Sequence, residues 1–585
     1  MCGIAAYKGR NRASKVLLDS LRRMAYRGYD SVGMAFLNNN RLIIKKGVGK
    51  VDEVNNKLHF ENAKGNLGIA HTRWATNGIV TKENAHPHSD CNGKIAVVHN
   101  GIIENYEGIK EELEKKGHTF KSQTDTEVIP HLIEEYKKDL PFKEACIKAV
   151  KRLEGSYAIL VISEDTDKIF GAKDGSPLIF GINGSEIFAA SEISAFLEYT
   201  NNVLFLEDKE YAVIDGGVTI NRLEDGRELK REMKKIEWSA DQIEKGGYEH
   251  FMLKEIFDQK RSVTGSLRQN EDKIRKIAEL INNSKGIFFV ACGTAYHAAL
   301  TSMYLFSDIA KEHVNVVLAS EFHNYRDFLT KETLVVAVSQ SGETADVIDA
   351  IKSAKNKGTK TFAILNVMGS SLMRLCDDAI LINAGPEIAV ASTKAFTGQI
   401  AVLSLLAYAC AGKFDEGKKH LMEVAGLVED VLKKENLDRI RKVAKSIKDS
   451  KDMFLIGRGL SYPLALEGAL KIKEVSYIHA EGFAGGELKH GTIALIDDKT
   501  PCIVIDDKDN TNMILSNANE VKARGGLIIG ISNKKHNIFD TFLGIPQISP
   551  ILIAVILQLM AYYLALERGC DIDCPKNLAK VVTVR

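Results

Sequence analysis

The chain has 585 residues, 45% of them hydrophobic and 26% charged, with a formal net charge of +1. At about 100–200 residues per domain this length holds about three or four domains, and with a near-neutral balance no polyelectrolyte partner such as nucleic acid is implied. Nine scattered cysteines exclude a disulfide framework, and without paired C-x-x-C spacing they give no sign of a zinc site, so reduced thiols in a cytoplasmic protein are expected.

From the N-terminus, Met1-Cys2-Gly3-Ile4 lacks the basic region and apolar run of a signal peptide. Residues 1–238 alternate short apolar strands, at Gly68–Ala70, Lys94–Val98, Tyr157–Ile162 and Glu186–Ala190, with helical patterns at Glu104–Gly117 and Thr126–Lys138. Strands next to helices, with turn signals between, suggest sheets covered by helices. The basic run Arg231–Lys235 is broken by Glu232 and Met233 and reads as a solvated face. Residues 239–250 are polar, contain Gly246-Gly247, and read as a linker.

The remainder repeats itself. Ile287-Phe-Phe-Val-Ala-Cys-Gly-Thr-Ala-Tyr aligns with Met453-Phe-Leu-Ile-Gly-Arg-Gly-Leu-Ser-Tyr, Leu334–Ser339 with Thr500–Ile505, and the strand ending at Asn366 with Ile528–Asn533. Each copy reads as strand, Gly-bearing turn, helix, strand, helix, strand, the pattern of a doubly wound parallel sheet. The copies are placed at 251–435 and 436–575, with a tail at 576–585. Pro550–Leu566 is almost wholly apolar. It is shorter than the ~20 residues of a spanning helix and contains Gln558, so a buried core helix is expected, with Ser549 as N-cap and Pro550 at N1. No membrane partner is implied.

Two sets of residues carry chemistry. Removal of Met1 would expose Cys2 with a thiol and an α-amine on one residue, and an α-amine of pKa about 7.7–8.0 can serve as the thiol's own general base. Position alone favours coincidence. In the second half, Ser339-Gln-Ser-Gly-Glu-Thr344 follows an apolar strand and opens a helix, an arrangement suited to phosphate, and Ala391-Ser-Thr-Lys394 adds a second hydroxyl cluster. The equivalent place in the second copy reads Asp506-Asp-Lys-Asp, so one sugar- or phosphate-type site per chain is expected. Glu467, Lys471 and Glu474 fall at i, i+4 and i+7, on one helix face, where a solvated salt-bridge stripe is the plain alternative.

Downstream of Cys2 come His71-Thr-Arg-Trp-Ala-Thr76, Asn84-Ala-His-Pro-His88, Val97-Val-His-Asn-Gly-Ile-Ile-Glu-Asn105 and Ser122-Gln-Thr-Asp-Thr-Glu127. With these segments the chain resembles the class II glutamine amidotransferases, which are N-terminal-nucleophile hydrolases. The resemblance implies that Cys2 is the nucleophile and that Asn100 and the Gly101 N–H stabilise the oxyanion. Arg73 and Asp125 would hold the α-carboxylate and α-ammonium of glutamine, with Trp74, Thr76 and His86 lining the site. Asn77 stands where relatives often carry His.

The run Leu466–Tyr477, its continuation Ala480-Glu-Gly-Phe-Ala-Gly-Gly-Glu-Leu-Lys-His490-Gly, and the C-terminal Asp573-Cys-Pro-Lys-Asn-Leu-Ala-Lys580 resemble the sugar isomerase (SIS) domains of the glutamine–fructose-6-phosphate aminotransferases. This resemblance covers essentially the whole chain. It implies an α/β multidomain protein: an αββα N-terminal-nucleophile sandwich followed by two flavodoxin-like SIS domains. Thr294, Ser339, Gln340, Ser341 and Thr344 would hold the phosphate, and Val390, Ser392 and Glu467 would line the sugar site. Lys580 would form an imine at C2, Glu474 would move the proton between C1 and C2, and Lys471 would offset charge near the enediol-like species. His490 would assist ring opening from a neighbouring subunit, in a homodimer or larger homo-oligomer. Trp74 and the tail would gate the passage of ammonia. The implied substrates are glutamine and fructose 6-phosphate, with no metal and no cofactor, at the first step of amino-sugar synthesis. Ala295 replaces a serine common in the family's phosphate loop, which leaves open another ketose phosphate as acceptor. A sugar-phosphate sensor is disfavoured by the joint presence of Cys2, Glu474, His490 and Lys580.

Overall fold

The computed structural model describes residues 2–75, 77–236 and 240–582. The chain divides into two compact units, Met1–Ile243 with Ala579–Arg585, and Glu244–Leu578.

The first unit is built on an eight-stranded and a seven-stranded sheet, both antiparallel among the described residues. Period-2 alternation decides which side chain goes where. On the strands Ile95–Ile103 and Gly155–Ser163, Ala96, Val98, Ala158, Leu160 and Ile162 pack between the sheets against Ile4, Ala6, Leu67 and Ile69. Their neighbours Ile95, Val97, Tyr157, Ile159 and Val161 face the helices Tyr106–Lys115, Val128–Lys137 and Phe142–Val150 through Ile109, Leu113, Ile129, Ile133 and Ala145. The helix Ala13–Arg23 covers the other sheet with Val16, Leu17 and Leu21. The layers are therefore αββα, as expected.

The second unit holds two five-stranded parallel sheets. In the first, the strands lie in the spatial order Asn315–Leu318, Gly286–Ala291, Thr333–Ser339, Lys360–Leu365, Asp378–Leu381. In the second, the order is His479–Ala484, Asp452–Gly457, Pro501–Ile505, Leu527–Ser532, Thr541–Gly544. Numbered along the chain, both read 2-1-3-4-5, the flavodoxin-like order. Central strands such as Thr333–Ser339 are buried throughout, because a parallel sheet is covered on both faces. Leu334, Val336 and Val338 share one apolar core with Leu455, Ile503 and Ile529 of the second sheet, so the two repeats are fused along one face.

Two helices fill that shared core, Lys394–Cys410 and Pro550–Glu567. The second is long and apolar enough to cross a membrane by length and composition, yet 83% of it is buried inside the protein. A helix apolar all round belongs in a core. Its Gln558 is satisfied there, accepting from Gln259 Nε2 at 2.8 Å and donating to the Thr393 carbonyl at 3.2 Å. Pro550 does open the helix after Ser549, but the Ser549 hydroxyl makes no capping bond.

Candidate active sites

Cys2 precedes the first strand, Gly3–Lys8, at the edge of the strand Leu67–Arg73. Its Sγ accepts the Trp74 N–H at 3.3 Å and lies 3.4 Å from the Trp74 carbonyl. Its carbonyl accepts from Asn100 Nδ2 at 3.0 Å and Arg27 Nε at 3.2 Å. Burial pushes the thiol above its ordinary pKa, opposed by the Trp74 N–H and by Arg73 and Arg27. Asn100 is buried and its Oδ1 has no partner, so the amide is aimed at the Cys2 backbone with an acceptor left over. Gly101 sits at φ +132°, and a Cβ there would lie 1.8 Å from the Ser156 carbonyl. Only glycine lets the strand bring this N–H beside Asn100.

The expected glutamine ligands fall on neighbouring segments of the first unit. Arg73 ends the strand Leu67–Arg73 with its guanidinium on the carbonyls of Asn77 at 2.5 Å and Gly78 at 3.1 Å. The bond runs to the main chain of residue 77, so replacing the family's His by Asn leaves it intact. Asp125 opens a short 3₁₀ turn, buried, with one oxygen on the Ile103 N–H at 2.8 Å. Thr76 lies outside the described residues. His86 is part of a layer that the motifs do not reveal. It stacks on His71 at 3.9 Å between ring centroids, and its Nδ1 accepts the His99 N–H at 3.4 Å. His71 Nε2 is 3.0 Å from the His99 carbonyl, and His99 Nδ1 is 2.8 Å from Thr126 Oγ1. Burial holds His71 neutral, with its pKa down to about 3, and depresses His86, His88 and His99 as well. These rings support the strand that carries Asn100.

The second cluster lies where the repeats meet. The helix Gly293–Leu305 of the first packs on the helix Ser461–Ser476 of the second. Glu467, Lys471 and Glu474 share one face of the latter, as their spacing predicts, but that face is no solvated stripe. Glu467 and Lys471 are buried and Glu474 is half-buried. Lys471 Nζ donates to Thr294 Oγ1 at 2.9 Å, pairs with Glu474, and lies 3.5 Å from Glu467. Thr294 Oγ1 donates in turn to Glu467 Oε1 at 3.1 Å. Burial lowers the Lys471 pKa, but Glu474, Glu467 and Glu387 outweigh it and the net shift is upward, so the ammonium is retained. His297 Nδ1 meets Glu467 Oε2 at 2.7 Å. Sequence reasoning missed this residue, although it stands three positions after Thr294, one helical turn on.

The loop Ser339–Thr344 joins its strand to the helix Ala345–Asn356. Ser339 Oγ accepts the Gly342 N–H at 3.0 Å and Ser341 Oγ accepts the Glu343 N–H at 3.2 Å, so each hydroxyl proton stays available to a ligand. Gly342 has φ +68°, and a Cβ there would lie 2.1 Å from Ser370 Oγ. The Gln340 carbonyl accepts from Asn366 N–H, fixing the loop to the next strand. Thr344 stands at the N-cap without a side-chain cap bond. Such a loop, with hydroxyls and helix N–H groups converging, is fit for an anion.

Ser392 Oγ donates to Glu387 Oε2 at 2.8 Å, and Val390 is buried beside it. Glu387 also accepts the Thr393 and Ala395 N–H groups, and Glu255 accepts those of Ile388 and Ala389. These two buried acids hold the segment 387–395, and nothing in their local sequence marks them. His490 is not brought into the Lys471 cluster. It is exposed at the end of the 3₁₀ turn Glu487–His490, with no hydrogen bond or ion pair among the described residues. Lys580 is half-buried and falls in the segment that groups with the first unit.

The two folds and their sites define the class: a glutamine amidotransferase joined to paired sugar isomerase domains. The family description "Glutamine amidotransferase domain" matches residues 71–198, and "SIS domain" matches residues 280–409 and 446–568. Glutamine–fructose-6-phosphate aminotransferases (isomerizing) from Thermococcus kodakarensis and Pyrococcus horikoshii are each 46% identical to this chain, with all of both chains covered. The one from Aquifex aeolicus is 43% identical over the same full span. Among solved structures, the C-terminal domain of glucosamine-fructose-6-phosphate aminotransferase from Francisella tularensis is 35% identical, with a TM-score of 0.53, and it covers 57% of this chain and all of its own. The chain belongs to the glutamine–fructose-6-phosphate aminotransferase (isomerizing) family.

Proposed function

We propose that this enzyme converts fructose 6-phosphate and glutamine to glucosamine 6-phosphate and glutamate through the residues placed above. The observation that carries the reading is the seat of Cys2, whose sulfur rests on Trp74 and whose backbone meets the Asn100 amide. With Met1 removed, the α-amine of Cys2 takes the thiol proton and the sulfur attacks the side-chain amide of glutamine. Asn100 Nδ2 and the Gly101 N–H stabilise the oxyanion, a contribution of about 10²–10³ in rate per donor. Ammonia leaves, and water releases glutamate from the thioester. Arg73 and Asp125 orient the amino-acid end.

In the second unit, the Ser339–Thr344 loop and Thr294 bind the phosphate, and Val390 and Ser392 flank the sugar. Lys580, from the C-terminal segment that groups with the first unit, condenses with the C2 carbonyl and ammonia displaces it. Glu474 removes a proton from C1 and returns it to C2, turning the ketose imine into an amino aldose. Lys471, locked to Glu467 and Thr294, offsets the negative charge that develops between them. His490 serves ring opening from a second copy of the chain, which accounts for its exposure in one. The setting is the cytoplasm.

Glutamate and amino sugar, followed separately with both substrates present, test the reading. Both should form in wild type. Cys2→Ala should abolish glutamine-dependent synthesis yet retain synthesis from added ammonia. Glutamine-dependent synthesis by Cys2→Ala would sink the assignment of the nucleophile, and glutamate without amino sugar would sink that of the acceptor.

A further inference from the structure

Apart from both sites, the first unit gathers Cys91, His118, His131 and Glu134 so that one ligand atom from each lies within 4.8 Å of the others. Cys91 Sγ is 3.6 Å from His118 Nδ1 and 3.4 Å from His131 Nδ1. The two Nδ1 atoms are 3.2 Å apart. Glu134 Oε2 is 3.2 Å from the first and 3.6 Å from the second. A tetrahedral zinc ion, with bonds of about 2.0–2.1 Å to nitrogen and about 2.3 Å to sulfur, has N···N edges of about 3.3 Å and N···S edges of about 3.6 Å. The protein already holds those edges.

The outer partners point the same way. His118 turns its other nitrogen, Nε2, to Glu135 Oε2 at 3.2 Å, and His131 turns Nε2 to Glu127 Oε1 at 3.7 Å. Carboxylates on that side favour Nε2–H, by a hydrogen bond at His118 and by charge alone at His131, whose Nε2 has no hydrogen-bond partner, and both Nδ1 atoms are then bare lone pairs. Glu134 is oriented too, accepting from Cys91 N–H at 3.1 Å and Asn92 Nδ2 at 2.7 Å. Two lone pairs, a sulfur and a carboxylate oxygen then face one another at contact distance. His118 and His131 are buried, so water does little to relieve the repulsion. A cation at the centre relieves it, and the mixed S, N, N, O donor set suits a borderline divalent transition metal rather than calcium or magnesium.

We propose that Cys91, His118, His131 and Glu134 form a structural site for a divalent transition metal of the zinc type. Four protein donors close the site, which marks it as structural rather than catalytic. It would staple three segments: the turn before the strand Ile95–Ile103, the loop after the helix Tyr106–Lys115, and the helix Val128–Lys137. The stretch between His118 and His131 carries Asp125, so the ion would brace the turn assigned above to the glutamine ammonium. The metal site itself does not depend on that assignment. The sequence hides it because the ligands lie 27 residues (Cys91 to His118) and 13 residues (His118 to His131) apart.

The test uses the full-length chain, stripped with chelator and reloaded with Zn²⁺ or Co²⁺. We expect roughly one tightly held ion per chain, as measured by mass spectrometry of the metal after gel filtration. The Co²⁺ form should show intense tetrahedral d–d bands and a thiolate charge-transfer band. Cys91→Ser should lose the charge-transfer band, and His118→Gln should lose the ion. Chelation should lower the unfolding midpoint of wild type and leave that of His118→Gln unchanged. Weak six-coordinate Co²⁺ spectra in wild type, or full metal content in His118→Gln, would overturn the proposal. The wild-type spectrum decides the matter even where a variant fails to fold.

Discussion

The two parallel sheets of the second unit share a strand order but end in opposite chemistry. After Thr333–Ser339 the chain offers hydroxyls and N–H groups, with Ser339 and Ser341 satisfied only through their oxygens. After Pro501–Ile505 it offers Asp506 and Asp507, both buried. Asp506 takes the donors of that loop for itself: Asp507 N–H at 2.8 Å, Thr511 Oγ1 at 2.9 Å and Ser532 Oγ at 2.6 Å. Asp507 takes Asp509 N–H and Asn510 Nδ2. A resident carboxylate occupies the place that the proposed phosphate would take in the first copy. The duplication therefore repeats the fold without repeating the hydroxyl-rich loop, and the second copy carries Glu467, Lys471 and Glu474 instead.

That division of labour can be broken experimentally. The largest effect is expected from Glu474→Gln, which removes the proton carrier proposed in the second copy. Amino-sugar formation should fall by roughly 10²–10⁴, while glutamine hydrolysis, assayed as glutamate release, continues. Equal loss of both would mean that Glu474 acts on the whole protein rather than on the sugar.

Next comes Ser341→Ala in the first copy. Loss of one hydrogen bond to a charged group is worth about 1.5–3 kcal/mol, or roughly tenfold to a hundredfold in KM for fructose 6-phosphate. Its counterpart, Asp506→Asn in the second copy, should move stability instead. We expect a loss of about 1.5–3 kcal/mol in denaturant unfolding from weakened hydrogen bonds to a buried charge, with KM unchanged. If Asp506→Asn raised KM as much as Ser341→Ala, the two sheets would be functionally alike and the comparison would fail. The smallest effect belongs to Ala295→Ser, which adds a hydroxyl one residue after Thr294. A lower KM would show that the first copy had room for a further phosphate donor, and an unchanged KM would show that its donors are already complete.

Much of this was legible beforehand. Short apolar runs such as Lys94–Val98 marked strands, the repeat exposed both parallel sheets, and the Glu467, Lys471, Glu474 spacing put three charges on one helix face. Spacing could not say whether that face met water or the neighbouring helix, because both choices satisfy the same period. His297, Glu387 and Glu255 stayed hidden for a related reason. Each acts on a residue distant in sequence or on a backbone whose course only the fold decides. His490 is the converse case: its motif is plain, yet it has no hydrogen bond or ion pair among the described residues.

By itself, the sequence determined the helix-covered sheets of the first part, the doubly wound elements and the hydroxyl-rich loop of the first copy, since these follow from local periodicity and contiguous motifs, while the αββα layering and the nucleophile candidate Cys2 came from the family resemblance. Tertiary structure alone decided the rest. Burial converted a charged stripe into the Thr294–Lys471–Glu467 network, and it turned four histidines into a neutral layer under Asn100. It also drew Cys91, His118, His131 and Glu134 around one point. Desolvation and distance set the chemistry of such groups, and neither quantity exists until the chain has folded.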